Sequence, residues 1–266
     1  MKYEPHNYQH HTTQFIINHP ECAILLGMGM GKTISTLTAI NELIRNRFQT
    51  RHALVIAPAR VARDTWPDEI KKWDHLNGLT ISPIAGTPQQ RKTAANRQAD
   101  VYTIGRENIT WLIGHHKNYW PYDMVIIDEL SSFKNPQAKR FKALKKVRPK
   151  INRIVGLTGT PAPNSLLDLW APFRLIDNGQ RLGKYITHYR DQYFTPGRRN
   201  GTVIYNWNLR DGADQAIYDN IADITLSMRT ADYLQLPEAT HQHITVQLPA
   251  KARKQIDTLK KDLVLN

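Results

Sequence analysis

Residues Gly27 to Thr33 read Gly-Met-Gly-Met-Gly-Lys-Thr, glycines at alternate positions ending in a lysine and a hydroxyl. Glycines let backbone N–H groups converge on an anion, and a helix opening at Thr33 adds partial positive charge from its N-terminus. Lys32 would reach the β- and γ-phosphates of a nucleotide there, and the Thr33 hydroxyl would bind Mg²⁺. Farther along, Asp128-Glu129 closes the apolar run from Asp123 to Ile127. Phosphoryl transfer needs charge management more than covalent help. Asp128 suits a water-mediated hold on Mg²⁺ beside Thr33, and Glu129 suits positioning and deprotonating the attacking water. ATP and Mg²⁺ are the cofactors this pairing implies. The strict phosphate-loop spacing wants glycine where this chain has Leu26, and the plain alternatives are a glycine-rich connection and an exposed acidic strand end.

Both stretches need strands to carry them. Cys22 to Leu26 is an apolar run of buried-strand length, and Ile34, Leu37, Ile40, Leu43 and Ile44 give the next segment helical periodicity. Ala53–Ala57, Thr80–Ile84, Val101–Ile104, Asp123–Ile127 and Ile151–Leu157 read as further strands, the last being the end of the series. Helical patterns fall between them, including Asn7–His19, Val61–Trp73, Gln89–Gln98 and Asn108–Ile113. Such alternation implies an α/β fold with a doubly wound parallel sheet, ligands gathering at the carboxyl ends of its strands. Beyond Asn164 the rhythm changes to helices at Leu166–Ile176 and Ala213–Ile224, an Asn200-Gly201 hairpin, a strand at His241–Leu248 and a closing helix at Ala250–Leu263.

The chain has 266 residues, 41% hydrophobic and 22% charged, enough for one large α/β domain with an appendage. Its net charge of +13 favours a polyanionic partner, nucleic acid first, against a plain solubility surface. Cys22 is the one cysteine, placed to pack rather than react, which fits a reducing, cytoplasmic compartment. No apolar run has the length to span a bilayer, so no membrane partner is expected. His6, His10 and His11 lack a cysteine or carboxylate at metal-ligand spacing and read as solvated.

With these stretches in view, the chain resembles the first motor lobe of a superfamily 2 helicase, and within that group the Swi2/Snf2 ATPases, including their small phage-encoded relatives. Tyr8-Gln9 resembles the glutamine motif, with Gln9 reading the adenine edge. Met28, Gly29, Met30, Gly31, Lys32 and Thr33 match the family's phosphate loop, although Leu26-Gly27 replaces its usual acidic pair. Val55 to Pro58, with Trp66 and Trp73 after it, resembles motif Ia. Asp128-Glu129-Leu130-Ser131 resembles motif II, with Ser131 where many relatives have His. Leu157 to Pro161, continuing through Asn164, Leu169 and Trp170, is the most specific match to the group. Arg229-Thr230, Asp232 to Leu234 and Leu236 to Glu238 resemble the bridge toward a second lobe.

The resemblance implies a RecA-like lobe at 1–164, a helical protrusion with a hairpin at 165–235 and the start of a connection at 236–266. Thr158, Gly159 and Thr160 would relay phosphate state to DNA, the two hydroxyls being equally suited to capping a tight turn. Family position also implies backbone-tracking DNA contacts around Pro58, Ala59, Arg60, Thr103 and Gly105. Between Leu130 and Leu167 there are nine Lys or Arg and no Asp or Glu, with Lys139 and Arg140 opening one basic helix. That run is either a solvated face or one that tracks the phosphates of duplex DNA. Arg198 and Arg199, with Tyr193, Phe194 and Trp207, either grip a strand or pack the appendage.

The expected function is the first lobe of a DNA-dependent ATPase that binds ATP·Mg²⁺ and duplex DNA. Efficient hydrolysis is expected to need a second RecA-like lobe, whose motifs would follow Asn266; the reading is therefore part of a longer motor, with a host-cytoplasm or nucleoid setting if phage-encoded. The competing readings are a non-catalytic nucleic-acid-binding regulator that uses the pocket as a switch, and an unrelated phosphate-loop kinase. Oligomeric state is not legible.

Overall fold

The apolar runs become strands and the periodic segments become helices, in alternation. The computed structural model describes residues 1–117, 119–159, 165–201, 203–228 and 249–264. In chain order they form α1 (Asn7–Asn18), β1 (Glu21–Leu26), α2 (Lys32–Asn41), β2 (Ala53–Ala57), α3 (Trp66–Lys72), β3 (Ile81–Ile84), α4 (Pro88–Asn96), β4 (Val101–Gly105), α5 (Ile109–His116), β5 (Met124–Asp128), α6 (Lys139–Val147) and β6 (Arg153–Thr158). Then follow α7 (Trp170–Ile176), α8 (Ile186–Tyr193), β7 (Phe194–Pro196), β8 (Arg199–Asn200), β9 (Val203–Ile204), β10 (Trp207–Leu209), α9 (Ala213–Ile221) and β11 (Thr225–Met228). The chain divides into two units, Met1–Tyr233 and Leu234–Asn266, the second containing a helix at Ala250–Val264.

Among the described residues seven strands make one sheet in the order β11-β1-β6-β5-β2-β4-β3, every neighbouring pair parallel. Strands buried on both faces read as unbroken apolar runs, which is why β1, β2 and β5 stand out in the sequence. The two faces sort by parity. Ala23, Leu25, Leu54, Ile56, Val125, Ile127 and Ile154 share a core with residues of α5 to α9. Cys22, Ile24, Val55, Ile126 and Val155 are buried on the opposite face. On that face Arg153 of β6 donates to the Ile16 and Ile17 carbonyls of α1, at 2.9 and 2.5 Å.

One expectation is corrected here. The strand series does not end at β6, because β11 lies parallel to β1 with Ala23 opposite Thr225 and Leu26 opposite Met228. Thr225-Leu226-Ser227-Met228 alternates in exposure, with Leu226 and Met228 buried. The part after residue 164 is therefore tied into the sheet, and Met1–Tyr233 is one unit. The hairpin is present: β8 and β9 pair antiparallel around Gly201, whose φ is +56°. β7 and β10 pair antiparallel below it. The strand expected at His241–Leu248 and the bridge from Arg229 to Glu238 lie outside the described residues.

A parallel sheet has one consequence for chemistry. All carboxyl ends lie along one edge, so the phosphate-type loop after β1, the acidic pair after β5, Thr158 at the end of β6 and Arg60 after β2 share it.

Candidate functional site

β1 delivers its chain into the loop Gly27–Gly31, and α2 begins at Lys32 with Gly31 as its N-cap. Gly29 and Gly31 have φ of +76° and +69°, a left-handed region that side chains disfavour. The Met30 side chain is fully buried and anchors the loop, whereas Met28 is 84% exposed. Lys32 Nζ donates to the carbonyls of Leu26 and Gly27, at 2.8 and 2.9 Å. An ammonium has three donors, so these contacts leave one unused and two that an incoming phosphate can replace. Thr33 is half-buried and has no side-chain hydrogen bond to another described residue.

Asp128 ends β5 and sits on the α1–α3 side of the sheet by parity with Met124 and Ile126. Its Oδ2 accepts the indole N–H of Trp66 at 3.0 Å. Glu129 has φ +59° and ψ +63°, a left-handed backbone for a residue with a side chain. Such strain costs about 1–3 kcal/mol and gathers at functional sites. The turn that follows is held from two sides. Leu130 fills the space left by Gly156, where a Cβ would collide with it. Arg140 donates to the Ser132 carbonyl at 2.7 Å and lies over the Phe133 ring.

Burial pushes the Asp128 carboxyl above its ordinary range, against the Trp66 hydrogen bond, the Lys32 charge and the Glu129 backbone N–H. Burial likewise lowers Lys32, against the charges of Glu129 and Asp128. Lys32 feels both carboxylates, yet pairs with neither among the described residues. The sheet order explains this, because β6 stands between β1 and β5. A hard divalent cation prefers oxygen ligands, and Asp128 Oδ1 with the Thr33 hydroxyl supplies that donor type. The residues present fit Mg²⁺ on this ground.

Gln9 is on α1, and its Oε1 accepts the His6 N–H at 3.0 Å. Its Nε2 lies against Gly31, close enough that a Cβ there would collide with it. Thr158 is buried and in register with Leu25, one residue before the carbonyl that Lys32 holds. A Cβ on Gly159 would lie 3.5 Å from the Leu26 oxygen. Thr160, with Pro161 and Asn164, lies outside the described residues. No group of three or more histidine, cysteine, aspartate or glutamate side chains that could hold a metal occurs among the described residues.

The residues expected at nucleic acid divide. Arg60 is exposed and lines a cleft of about 310 Å³ with Ala59, Arg63, Gly86, Gly105 and Asn108. Thr103 also borders it, but its side chain is buried and its hydroxyl donates to the Ala62 carbonyl at 2.5 Å. Strand parity turns Thr103 beneath the Val61–Thr65 turn, so it braces the cleft from inside. Lys139, Lys142, Lys145 and Lys146 are exposed on α6. Other members of that basic run face inward. Arg140 holds Ser132, Lys134 pairs with Asp168 at 3.1 Å, Arg148 is buried against Glu21 and three carbonyls, and Arg153 holds α1. Tyr193 and Phe194 are core residues, and Arg190 stacks on Trp207 at 5.2 Å.

Residues 8–264 match the SNF2-related domain. The chain belongs to that family. The SNF2-related chain is 37% identical over 269 residues to protein p41 of Acyrthosiphon pisum secondary endosymbiont phage 1, covering 99% of this chain and 58% of the phage protein. It is 26% identical over 241 residues to the human DNA annealing helicase and endonuclease ZRANB3, covering 89% of this chain and 22% of that protein. The chain thus spans little more than half of the phage protein and under a quarter of the human one. In fold it is similar to the Sulfolobus solfataricus SWI2/SNF2 ATPase core in complex with dsDNA, with a TM-score of 0.70 at 22% identity, covering 86% of this chain and 45% of that one. The SNF2-related chain therefore has the α/β fold of a RecA-like lobe. No described helix is long and apolar enough to cross a membrane.

Sequence reasoning missed the Trp66–Asp128 bond and the inward roles of Arg140, Arg148 and Arg153. Pro67, directly after Trp66, carried a signal for the first, because it forces an irregular turn that sets the tryptophan's direction.

Proposed function

We propose that this SNF2-related lobe binds ATP·Mg²⁺ between the Gly27–Thr33 loop and Asp128-Glu129, and duplex DNA along the edge marked by Arg60 and α6. The observation that carries the reading is the placement of the Lys32 loop after β1 and of the Asp128-Glu129 turn after β5 at one edge of the sheet, with β6 alone between them. Lys32 would exchange the Leu26 and Gly27 carbonyls for phosphate oxygens. Thr33 and Asp128 would hold Mg²⁺, which when bound neutralises phosphate charge. Glu129 would orient a water and take its proton, and Gln9 would face the adenine. Thr158 and Gly159, with Thr160 after them, would pass the state of the phosphates to the DNA edge.

Rapid hydrolysis would need a second RecA-like lobe closing over the nucleotide. An arginine supplied across such a cleft is worth about 10³–10⁵ in rate in related phosphate chemistry. The lobe alone is therefore expected to bind nucleotide and turn it over slowly. Lys32→Ala should abolish Mg²⁺-dependent nucleotide binding, measured with a fluorescent ADP. In a protein carrying both lobes, Glu129→Gln should retain binding and stop DNA-stimulated hydrolysis. Wild-type hydrolysis that never responds to any DNA would favour the regulator reading, and hydrolysis surviving Glu129→Gln would remove Glu129 from its role.

A further inference from the structure

The first turn after β2 is a wide one. Val61–Thr65 is a single π-turn in which the Trp66 N–H reaches back to the Val61 carbonyl. Pro67 explains it. Proline has no N–H for the preceding carbonyls, and its ring crowds the carbonyl four residues earlier. The Ala62 carbonyl instead accepts the Thr103 hydroxyl at 2.5 Å, pinning the turn to β4. Arg60 and Arg63 leave this turn for the cleft, and both are exposed, the Arg63 guanidinium donating to both oxygens of Asp64 at 2.8 and 2.9 Å. The other end of the turn is Trp66, fully buried, with its N–H on Asp128 Oδ2 at 3.0 Å. Single π-turns recur at functional sites, and this one joins a basic cleft to a metal-type carboxylate.

We propose that Trp66 is a positioning residue that fixes the direction of the Asp128 carboxylate and links it to the cleft lined by Arg60, so that duplex DNA in the cleft and Mg²⁺·nucleotide strengthen each other's binding. The proposal rests on the nucleotide reading above. A carboxylate with one oxygen fixed by an indole presents the other in a set direction. Without that bond the Asp128 carboxylate is left with the Glu129 backbone N–H as its remaining hydrogen bond. The turn pivots on Ala62, so a pull on Arg60 by phosphates is carried to Trp66. Linkage then requires the effect to be reciprocal.

The test uses Trp66→Phe, and Trp66→3-benzothienylalanine, which keeps the double ring and replaces N–H by sulfur. Fluorescent ADP is titrated with and without Mg²⁺, and with and without a short duplex. The expected result is Mg²⁺-dependent affinity lowered about tenfold, as for loss of one hydrogen bond to a charged group. Mg²⁺-free affinity should be unchanged, and the duplex-induced gain seen in wild type should disappear. Unchanged Mg²⁺-dependent affinity, or a retained duplex effect, in the benzothienyl variant overturns the proposal and leaves the nucleotide reading intact. Equal loss with and without Mg²⁺ assigns Trp66 a merely structural part and also overturns it. Wild-type protein without Mg²⁺-dependent binding would instead bring down the underlying reading.

Discussion

The Gln9 carboxamide lies against Gly31, leaving no room for a Cβ at that glycine. The same glycine has φ +69° and caps α2, so one position joins the glutamine, the loop and the first helical N–H groups. Gly31→Ala is therefore expected to lose Mg²⁺-dependent nucleotide binding and to destabilise the fold by more than about 1 kcal/mol, the usual result of a side chain at positive φ. Isothermal titration and thermal melts check the two parts. Gln9→Ala removes the obstacle, so Gln9→Ala/Gly31→Ala should melt above Gly31→Ala. An additive pair would show that the contact carries no energy.

Asp128→Asn should bind no Mg²⁺·nucleotide and yet be more stable than the wild type. Burial raises the Asp128 carboxyl in the folded protein, so its neutral form is the one folding favours. The stabilising contribution of such a group is complete below the unfolded pKa of about 4 and is lost as pH rises through the higher folded value. At pH 7 the ionised carboxylate is a burden that asparagine lacks, while the asparagine oxygen still accepts from Trp66. A gain of about 0.5–2 kcal/mol at neutral pH is expected, as in other trades of function for stability. Urea melts of both proteins at pH 7 and pH 4 test the sign, since the gain should shrink toward acid. A gain that grows there would contradict it.

What the sequence made legible was whatever depended on local pattern. Ala53–Ala57 is an apolar run bounded by Pro58, and it is β2 residue for residue. Type and spacing put the glycines with Lys32 after β1 and Asp128-Glu129 at the end of β5, and the structure has them there. Long-range relations did not. β11 was hidden because Thr225–Met228 is short and follows a helix, and its identity depends on a partner 202 residues earlier in register, Ala23 for Thr225. Charge was misleading for a related reason. Arg148 and Arg153 look like members of a surface run, and only the packing of α1 and α7 against β6 shows that backbone carbonyls take them inward.

Arg148→Ala is expected to be among the most damaging changes outside the site. Arg148 is 2% exposed, and its guanidinium donates to the carbonyls of Leu175, Ile151 and Ile176 and to Glu21. Its removal orphans several buried acceptors and a carboxylate, a loss of about 3–5 kcal/mol for a broken buried pair. Chemical denaturation of Arg148→Ala and of Glu21→Gln distinguishes the parts. Glu21 is partly exposed, so the glutamine should cost much less. Equal costs would mean that the ion pair outweighs the carbonyl contacts.

Cys22 supplies an independent clock for opening of the sheet. It is fully buried in β1, and burial pushes its thiol up to about 12. A thiol so placed is neither accessible nor ionised, so alkylation under native conditions should follow global unfolding of β1 and slow sharply when Mg²⁺·nucleotide is added. Mass spectrometry of iodoacetamide-treated protein reads this. Labelling at the rate of a free thiol in folded protein would show that β1 opens locally.

The two kinds of basic residue on α6 should separate in DNA binding. Lys142, Lys145 and Lys146 are exposed, whereas Arg140 is turned to the Ser132 carbonyl and Phe133 in the turn after Glu129. If duplex phosphates lie along α6, Lys142→Glu, Lys145→Glu and Lys146→Glu combined should weaken binding at every sequence. The slope of log K against log salt should fall by about 0.9 for each phosphate contact removed. Arg140→Ala should leave that slope unchanged. It should instead loosen the turn that carries Glu129, lowering hydrolysis in a two-lobed protein while binding persists. Fluorescence anisotropy across a salt series, with hydrolysis on the same samples, gives both quantities. An unaltered slope in the triple variant would return α6 to an ordinary solvated face, and a slope change in Arg140→Ala would mean that its guanidinium leaves Ser132 to meet the phosphate.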